Sequence, residues 1–276
     1  MKQSMKDHYN NIYSNRIFEL RNPGDSLKDE IILELIHKFN DMNHVTKTNS
    51  VTKMNPKILD VGCGMGYTSM LLSNITSQLV GTDVSIEGIK VAKERMGIDV
   101  LRSDSIMLPF KNECFDIVVM KDILEHVNDD IQAVKEIYRI LRLGGLFILY
   151  VPYSLYDSIS FESIVKRISG YSIDNKVGHV RRYNILELNN LLNEFKTVKS
   201  FYFAHFLFGI ISILGVLFYY EPKKIKTKEK DKFKENFLIG PISTILRHIK
   251  LLGKAEFSIL HGVKGAGIFI VCKKKT

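Results

Sequence analysis

The stretch Ile58-Leu59-Asp60-Val61-Gly62-Cys63-Gly64-Met65-Gly66-Tyr67 decides the fold, because a short apolar run passes directly into three alternate glycines. This pattern predicts a buried strand, a tight turn and the first turn of a helix. Glycine lets main chain approach a ligand closely, and the N–H groups at a helix start attract negative charge. The stretch therefore indicates a ligand site, although a tight strand–helix turn alone would also explain it.

Outward from this stretch, short apolar runs alternate with segments of helical periodicity from Pro56 to Pro152. A helix with a cap at Asn128 and an end at Gly144-Gly145 is predicted before the last run. The alternation is typical of a parallel sheet covered by helices on both faces. Strands are predicted at Lys57–Val61, Leu79–Asp83, Val100–Ser103, Phe115–Met120 and Leu146–Val151.

The flanking sequence adds further elements around this core. A helix is predicted at Leu27–Phe39, a polar linker at Asn40–Asn55, and a helix at Asn184–Phe195 that begins with a capping box. Two late strands are predicted at Thr197–Phe203 and Ile268–Lys273. The domain boundaries that follow are an N-terminal helical cap and linker at 1–55, a core at 56–203, a helical insert at 204–264 and a final core strand at 265–276.

A carboxylate on the next strand narrows the choice of ligand. Asp83 ends that strand, where it can accept hydrogen bonds from both hydroxyls of a ribose. The NAD fingerprint would place a glycine at position 67, which is Tyr67 here, and a pyrophosphate gives no reason for Asp60 beside the glycines. The ammonium of S-adenosylmethionine does give one, so this cofactor fits better than NAD.

Five ordered segments between Lys57 and Pro152 then resemble the class I S-adenosylmethionine-dependent methyltransferases, particularly the broad group that includes quinone-biosynthesis methyltransferases. These segments are LDVGCGMG, GTDVS, SDSIMLPF, FDIVVMKDILEHV and EIYRILRLGGLFILYVP. The resemblance implies an α/β fold, a doubly wound seven-stranded sheet of order 3-2-1-4-5-7-6 whose last strand is antiparallel. It also implies S-adenosylmethionine as the cofactor.

The resemblance assigns cofactor contacts to this chain. The glycine loop would pass under the methionine moiety with Asp60 near its ammonium, and Asp83 would bind ribose with Val84 against adenine. Lys121 would flank the cofactor through its main chain. The full set is Asp60, Gly62, Cys63, Gly64, Gly66, Asp83, Val84, Asp104, Ser105 and Lys121.

Methyl transfer from a sulfonium is an in-line displacement, so the protein must mainly hold a nucleophile and exclude water. His126 follows the fourth strand and is a candidate base, unless it only caps or packs the next helix. A second cluster, His179 to Tyr183, offers His179 and Tyr183 as catalytic candidates and Arg181 and Arg182 as ligands of an anionic acceptor. A solvated basic loop is the alternative. No His, Asp and Glu residues show metal-ligand spacing, so no metal is predicted.

Composition describes a globular protein of 276 residues, 45% hydrophobic and 25% charged, which excludes disordered and mostly membrane-embedded classes. Three scattered cysteines give no disulfide framework, and no signal peptide is visible, so a reducing cytosol is expected. The basic excess lies in residues 201–276, with 14 basic and 5 acidic side chains. The segment Phe201–Tyr220 carries no charge, and Phe237–Leu252 reads as an interfacial amphipathic helix.

These features predict that 204–264 rests on an anionic membrane surface on the cytoplasmic side, or else packs as a helical cap on the domain or on a partner. A single membrane crossing is excluded, because it would separate two strands of one sheet. The predicted function is methyl transfer to a small or lipid-linked, possibly anionic acceptor. The alternatives are an RNA or tRNA methyltransferase, which the aliphatic character of the tail disfavours, and a noncatalytic adenosyl-ligand-binding or interaction protein.

Overall fold

The computed structural model describes residues 23–40, 55–97, 99–172, 174–210 and 239–275. Its centre is one seven-stranded sheet with the order β3-β2-β1-β4-β5-β7-β6. The strands are β1 Ile58–Val61, β2 Leu79–Asp83, β3 Asp99–Arg102, β4 Phe115–Lys121, β5 Leu141–Pro152, β6 Phe195–Phe203 and β7 Gly267–Lys274.

The strands β1 to β5 are parallel to one another, and β7 runs antiparallel between β5 and β6. This confirms the predicted order and the antiparallel last strand. Strand order reverses between β1 and β4, and ligands of open α/β sheets bind at the carboxyl ends of the strands beside such a reversal. The glycine stretch follows β1 and therefore opens onto this crevice.

The helices in the described part of the chain lie before, between and after the strands. A single 3₁₀ turn at Leu124–His126 follows β4. The α-helices are α1 Pro23–Asn40, α2 Tyr67–Leu72, α3 Ile86–Met96, α4 Asp130–Ile140, α5 Phe161–Ser169, α6 Asp174–Val177, α7 Ile185–Leu191 and α8 Ile239–Leu260.

Two apolar clusters cover the two faces of the sheet. Alternate side chains of the central strands enter each cluster, as the two-residue period of a strand requires. On one face they pack with α4 and α7, through residues such as Ile137 and Leu188. On the other they pack with α1, through Ile32 and Ile36, and with Phe257 of α8. The sheet is therefore covered on both faces, as the sequence predicts.

The junction of α4 and β5 differs from the prediction. Asp129, not Asn128, caps α4 by accepting a hydrogen bond from the N–H of Gln132. The helix ends at Ile140, and β5 begins at once with Leu141, which pairs with Phe115 before the register shifts. Gly144-Gly145 lies inside this irregular strand start rather than at a helix end. A Cβ at Gly145 would lie 2.8 Å from the carbonyl oxygen of Arg142, so glycine is needed there for close backbone packing.

The remaining boundaries are close to the prediction. The capping box of Asn184 and Glu187 is present, but α7 ends at Leu191 because the chain turns into β6 at Phe195. The insert between β6 and β7 contains α8, which extends past the predicted Leu252 to Leu260. Residues 41–54 of the predicted linker and residues 211–238 of the insert lie outside the described residues. Among the helices that are described, none has the length and apolarity to span a membrane.

Candidate functional site

The glycine loop after β1 is tied to the end of β2 by main-chain hydrogen bonds. The N–H groups of Gly62 and Cys63 both donate to the carbonyl oxygen of Thr82, at 2.7 and 2.9 Å. Gly62, Gly64 and Gly66 have φ values of +74°, +52° and +82°, a region that residues with a Cβ rarely adopt. The three glycines therefore allow a loop of this shape, which bares main chain at the crevice.

Gly62 also makes room for the segment after β4. A Cβ at this position would lie 2.0 Å from Cδ1 of Ile123, so a larger residue would require the Ile123 side chain to move. Glycine at position 62 thus leaves room for Ile123 between the β1 and β4 loops. This contact is a packing role in addition to the predicted cofactor contact.

Asp83 lies buried at the end of β2 and faces the glycine loop. Its Oδ2 accepts from the N–H of Gly64 and its Oδ1 from the N–H of Ser85, both at 2.8 Å. A carboxylate oxygen can accept a second hydrogen bond, so both oxygens keep the capacity to bind a ribose hydroxyl. Burial raises the pKa of Asp83, while the donated N–H groups oppose this shift.

Asp60 is buried within β1, and Oγ of Ser69 in α2 donates to its Oδ2 at 2.5 Å. Burial raises the pKa of Asp60 to about 6, against the opposing effects of Ser69 and Lys121. A buried carboxylate of this kind is stabilised by a cation, so it suits the ammonium group of a ligand. The two carboxylates and the glycine loop around the crevice therefore fit S-adenosylmethionine.

The other predicted cofactor residues lie along the same edge of the sheet. The N–H of Ser103 donates to the carbonyl oxygen of Asp83 at 3.0 Å, which fixes the start of the loop that carries Asp104 and Ser105. Val84 directly follows Asp83, and its carbonyl oxygen accepts from Nε of Arg102. The structure thus brings the ends of β2 and β3 together as the resemblance implies.

Helix α1 adds residues to the crevice that the sequence did not indicate. Nζ of Lys121 at the end of β4 pairs with Asp29 of α1 at 2.7 Å, and Oγ1 of Thr68 also donates to Asp29. Nζ of Lys28 pairs with both oxygens of Asp122, at 3.0 and 2.8 Å. No local pattern could have shown these pairs, because the partners of the two lysine pairs lie 94 and 92 positions apart and those of the Thr68–Asp29 pair lie 39 apart.

His126 and His179 are brought together after β4, with ring centroids 5.0 Å apart. Nδ1 of His126 lies 2.9 Å from the carbonyl oxygen of Gly178, and Nδ1 of His179 lies 2.8 Å from Oδ1 of Asp174. The N–H of Val180 donates to the carbonyl oxygen of Glu125, which joins the two segments. The predicted catalytic residues His126 and His179 are therefore neighbours at the carboxyl edge of the sheet.

Between these histidines lies Glu125, which the sequence did not single out. Its side chain is 0% exposed, and neither carboxylate oxygen has a hydrogen-bond partner among the described residues. Nε2 of both histidines lies 3.9 Å from its Oε1. Burial, reinforced by the charge of Asp122, raises the pKa of Glu125 well above its ordinary value.

Tyr183 is buried in the core. Its hydroxyl lies 2.9 Å from Oδ2 of Asp130 and 3.2 Å from the carbonyl oxygen of Leu124. Burial raises the pKa of Tyr183, and the negative charge of Asp130 raises it further. These contacts hold the 3₁₀ turn in place. The position of Tyr183 does not support a catalytic role, which stays a prediction.

The two arginines are engaged within the protein. Arg181 pairs with Asp130 at 2.5 Å. Arg182 is mostly buried and pairs with Asp174 at 2.7 Å and Glu162 at 2.9 Å. Arg182 also lines a cavity of about 90 Å³ beside the crevice, whose wall includes Lys28, Asp122, Tyr150 and His179. Binding of an anionic acceptor by these arginines stays a prediction, because each one already has carboxylate partners.

Comparison with known proteins agrees with this geometry. Residues 59–149 match the model of a family described as a methyltransferase domain. A protein of Mycolicibacterium smegmatis named "Probable S-adenosylmethionine-dependent methyltransferase" is 29% identical over 136 residues, which cover 49% of each chain. The chloroplast 2-phytyl-1,4-beta-naphthoquinone methyltransferase of Arabidopsis thaliana is 33% identical over 141 residues, 46% of this chain and 52% of that protein. The chain thus spans about half the length of these relatives.

Solved structures agree on the fold. The YcgJ protein of Bacillus subtilis superimposes with a TM-score of 0.52 at 17% sequence identity, covering 87% of this chain and 99% of that one. A likeness over 87% of the chain reaches beyond residues 59–149, which the family model matches. At 17% sequence identity this likeness concerns the fold alone.

Proposed function

We propose that the protein transfers a methyl group from S-adenosylmethionine to a small acceptor, and the match of residues 59–149 to a family described as a methyltransferase domain supports this proposal. One observation carries the proposal: the glycine loop of β1, the Asp83 carboxylate of β2 and the β4 turn meet at one crevice. Each of these three parts supplies a different contact that a nucleoside with an amino-acid tail requires.

The residues have separable roles toward the cofactor. Asp83 would accept hydrogen bonds from the ribose hydroxyls, Asp60 would pair with the ammonium, and the main chain at Gly62 and Gly64 would hold the methionine moiety. Bound S-adenosylmethionine supplies an electrophilic methyl group on a positively charged sulfur. The leaving group departs neutral, so the chain itself must mainly orient the acceptor and exclude water.

The acceptor side of the crevice is supplied by α1, the β4 turn and the end of β5. The cavity of about 90 Å³ lies there, with Tyr150 and His179 in its wall. His126 and His179 are held by Nδ1 contacts, so their rings are fixed in place. A fixed imidazole beside a bound acceptor can orient a hydroxyl group or take its proton.

We propose further that the acceptor is lipid-linked and quinone-like, and that α8 meets an anionic membrane surface. Leu252 and Ile259 of α8 are 62% and 77% exposed, although both are large apolar residues. The basic excess lies in the same part of the chain. Exposed apolar side chains among lysines are typical of helices that lie at a lipid surface. The naphthoquinone methyltransferase named above supports the choice of acceptor class.

Transfer of labelled methyl from S-adenosylmethionine would test both parts of this proposal. A prenylated quinol in anionic vesicles, a soluble catechol and bulk RNA would be offered in parallel to the purified full chain. We expect label in the prenylated quinol, and strongly reduced label with the Asp83→Ala variant. Label found only in RNA would overturn the proposed acceptor class. If the protein binds S-adenosylmethionine but labels none of the acceptors, the noncatalytic alternative is favoured.

A further inference from the structure

We propose that Glu125, His126 and His179 form a binding site for one divalent transition-metal ion, with Zn²⁺ as the best match. Each of these three residues can offer a ligand atom within 4.8 Å of the other two. Two residues come from the turn after β4 and the third from the loop between α6 and α7. The site is therefore assembled only by the fold, which explains why residue spacing in the sequence did not indicate it.

The histidine contacts set which nitrogen faces the site. The carbonyl oxygen of Gly178 can only accept, so Nδ1 of His126 carries the proton that it donates at 2.9 Å. Nδ1 of His179 likewise faces the carboxylate of Asp174 at 2.8 Å. In neutral imidazoles the lone pair is then on Nε2. Histidine ligands of metals almost always have their other nitrogen held by a carbonyl or carboxylate in this way.

The carboxylate of Glu125 supplies the second, independent observation. It is fully buried, and both of its oxygens lack a hydrogen-bond partner in the described part of the chain. Buried carboxylates in proteins are normally paired, hydrogen-bonded or bound to a metal, because an isolated one costs several kcal/mol. Its Oε1 lies 3.9 Å from Nε2 of both histidines, so the three ligand atoms are grouped around one point.

The distances and the ligand types together select the ion. Bonds of roughly 2.0–2.2 Å in a tetrahedral arrangement put ligand atoms about 3.3 Å apart. The observed separations are 3.9 Å from Oε1 to each histidine and no more than 4.8 Å overall, so the side chains must draw together when they bind the ion. Imidazole favours first-row transition metals, whereas Mg²⁺ prefers oxygen ligands throughout.

Three protein ligands leave one coordination position open for another group, as in catalytic zinc sites. This consequence rests on the proposed function, because the fourth ligand would be a hydroxyl oxygen of the methyl acceptor. A bound cation lowers the pKa of such a hydroxyl, so it would deliver the acceptor as a better nucleophile. Metal binding itself needs no cofactor and no acceptor.

Calorimetric titration with Zn²⁺ of the full chain, freed of metal by a chelator, tests the site directly. We expect one ion per chain, and at least about 100-fold weaker binding for Glu125→Gln and for His179→Ala. His261→Ala is the matched control, because His261 is an exposed histidine whose Nδ1 contacts the carbonyl oxygen of Ser258 at the end of its own helix. The affinity of this variant for Zn²⁺ should equal that of the native protein. Equal affinity in all four proteins, or no binding by the native protein, would overturn the site.

X-ray absorption at the zinc edge of the native protein keeps the test valid if a variant does not fold. The expected spectrum contains two imidazole nitrogens and oxygen neighbours near 2.0 Å. Sulfur at about 2.3 Å would instead indicate a cysteine site and would contradict the proposal. Calorimetry with S-adenosylmethionine alone is measured separately, so a failure of the cofactor assignment is distinguishable from a failure of the metal site.

Discussion

Asp83 is the side chain on which the proposed ribose contact depends most. Replacing it with alanine removes both the ribose acceptor and the tie to the N–H of Gly64. Hydrogen bonds to charged groups contribute about 1.5–3 kcal/mol each, so affinity for S-adenosylmethionine should fall by about 30-fold or more. Asp99→Ala, an exposed aspartate at the start of β3, is the matched control. Equal affinity of the two variants would contradict the assignment of Asp83.

Asp60 gives a prediction for pH. Its pKa is raised to about 6 in the folded protein from an ordinary value of 3.8, because it is buried. The folded state therefore binds more protons than the unfolded state between these values, and the free energy of unfolding decreases as pH rises from about 4 to 6. Asp60→Asn should remove this part of the decrease. Urea unfolding at pH 4.5 and 6.5 measures it, and an equal pH dependence in both proteins would contradict the prediction.

Residues differ in how far the sequence alone reveals them. Gly62, Asp60 and Asp83 lie within or just after short strands, so local pattern and a known family order are enough to find them. Lys28 and Asp29 carry no local signal, because their partners come from distant segments of the chain, and Glu125 becomes notable only when His179 is brought beside it. Pairing at that range is set by the way helices and loops cover the sheet, which residue spacing does not encode.

Among the elements, the β1 loop and the β4 turn depend on each other through Gly62 and Ile123. Gly62→Ala would place a Cβ 2.0 Å from the Ile123 side chain at a positive φ. The expected loss is about 2–4 kcal/mol in the free energy of unfolding, from overpacking and from the left-handed conformation together. Chemical denaturation measures this loss.

Gly97 provides the matched control for this contact. It also has a positive φ, +60°, but a Cβ there would meet nothing within 4 Å. Gly97→Ala should therefore cost only about 1–2 kcal/mol from the backbone conformation. The double variant Gly62→Ala with Ile123→Ala should recover part of the loss. Strictly additive effects of those two substitutions would show that the contact does not limit position 62.

The helix boundaries show a second way in which local sequence pattern fails to predict structure. Gly144-Gly145 after an apolar helix pattern predicts a helix end, and Asn184 with Glu187 predicts a helix start. The second prediction is confirmed because a capping box is satisfied within four residues. The first is wrong because glycine serves equally in a helix end and in an irregular strand, and only the pairing of Leu141 with Phe115 separates the two.

At the scale of the whole molecule, the first and last described helices, α1 and α8, contact each other on one face of the sheet. Lys250 and Lys254 of α8 both pair with Glu30 of α1. This joins the helix before the core to the insert between the last two strands. The division into 1–55, 56–203, 204–264 and 265–276 stays a prediction, because these contacts do not by themselves define separate units.

The exposed apolar side of α8 predicts binding to anionic vesicles. In flotation at low salt the full chain should rise with vesicles that contain phosphatidylserine, and it should stay in the soluble fraction with neutral ones. Leu252→Glu should reduce flotation at least several-fold. Leu143→Glu is the control, because Leu143 is similarly exposed but lies in β5. Native protein that remains soluble with anionic vesicles would contradict membrane contact and leave α8 as a packed cap.

Calorimetric titration of the native protein with S-adenosylmethionine and, separately, with NAD tests the proposed cofactor crevice most directly. We expect saturable one-to-one binding of S-adenosylmethionine and no measurable heat with NAD, because Asp60 favours an ammonium and position 67 lacks the third glycine of a dinucleotide turn. Absence of S-adenosylmethionine binding, or tighter binding of NAD, would contradict the proposed function.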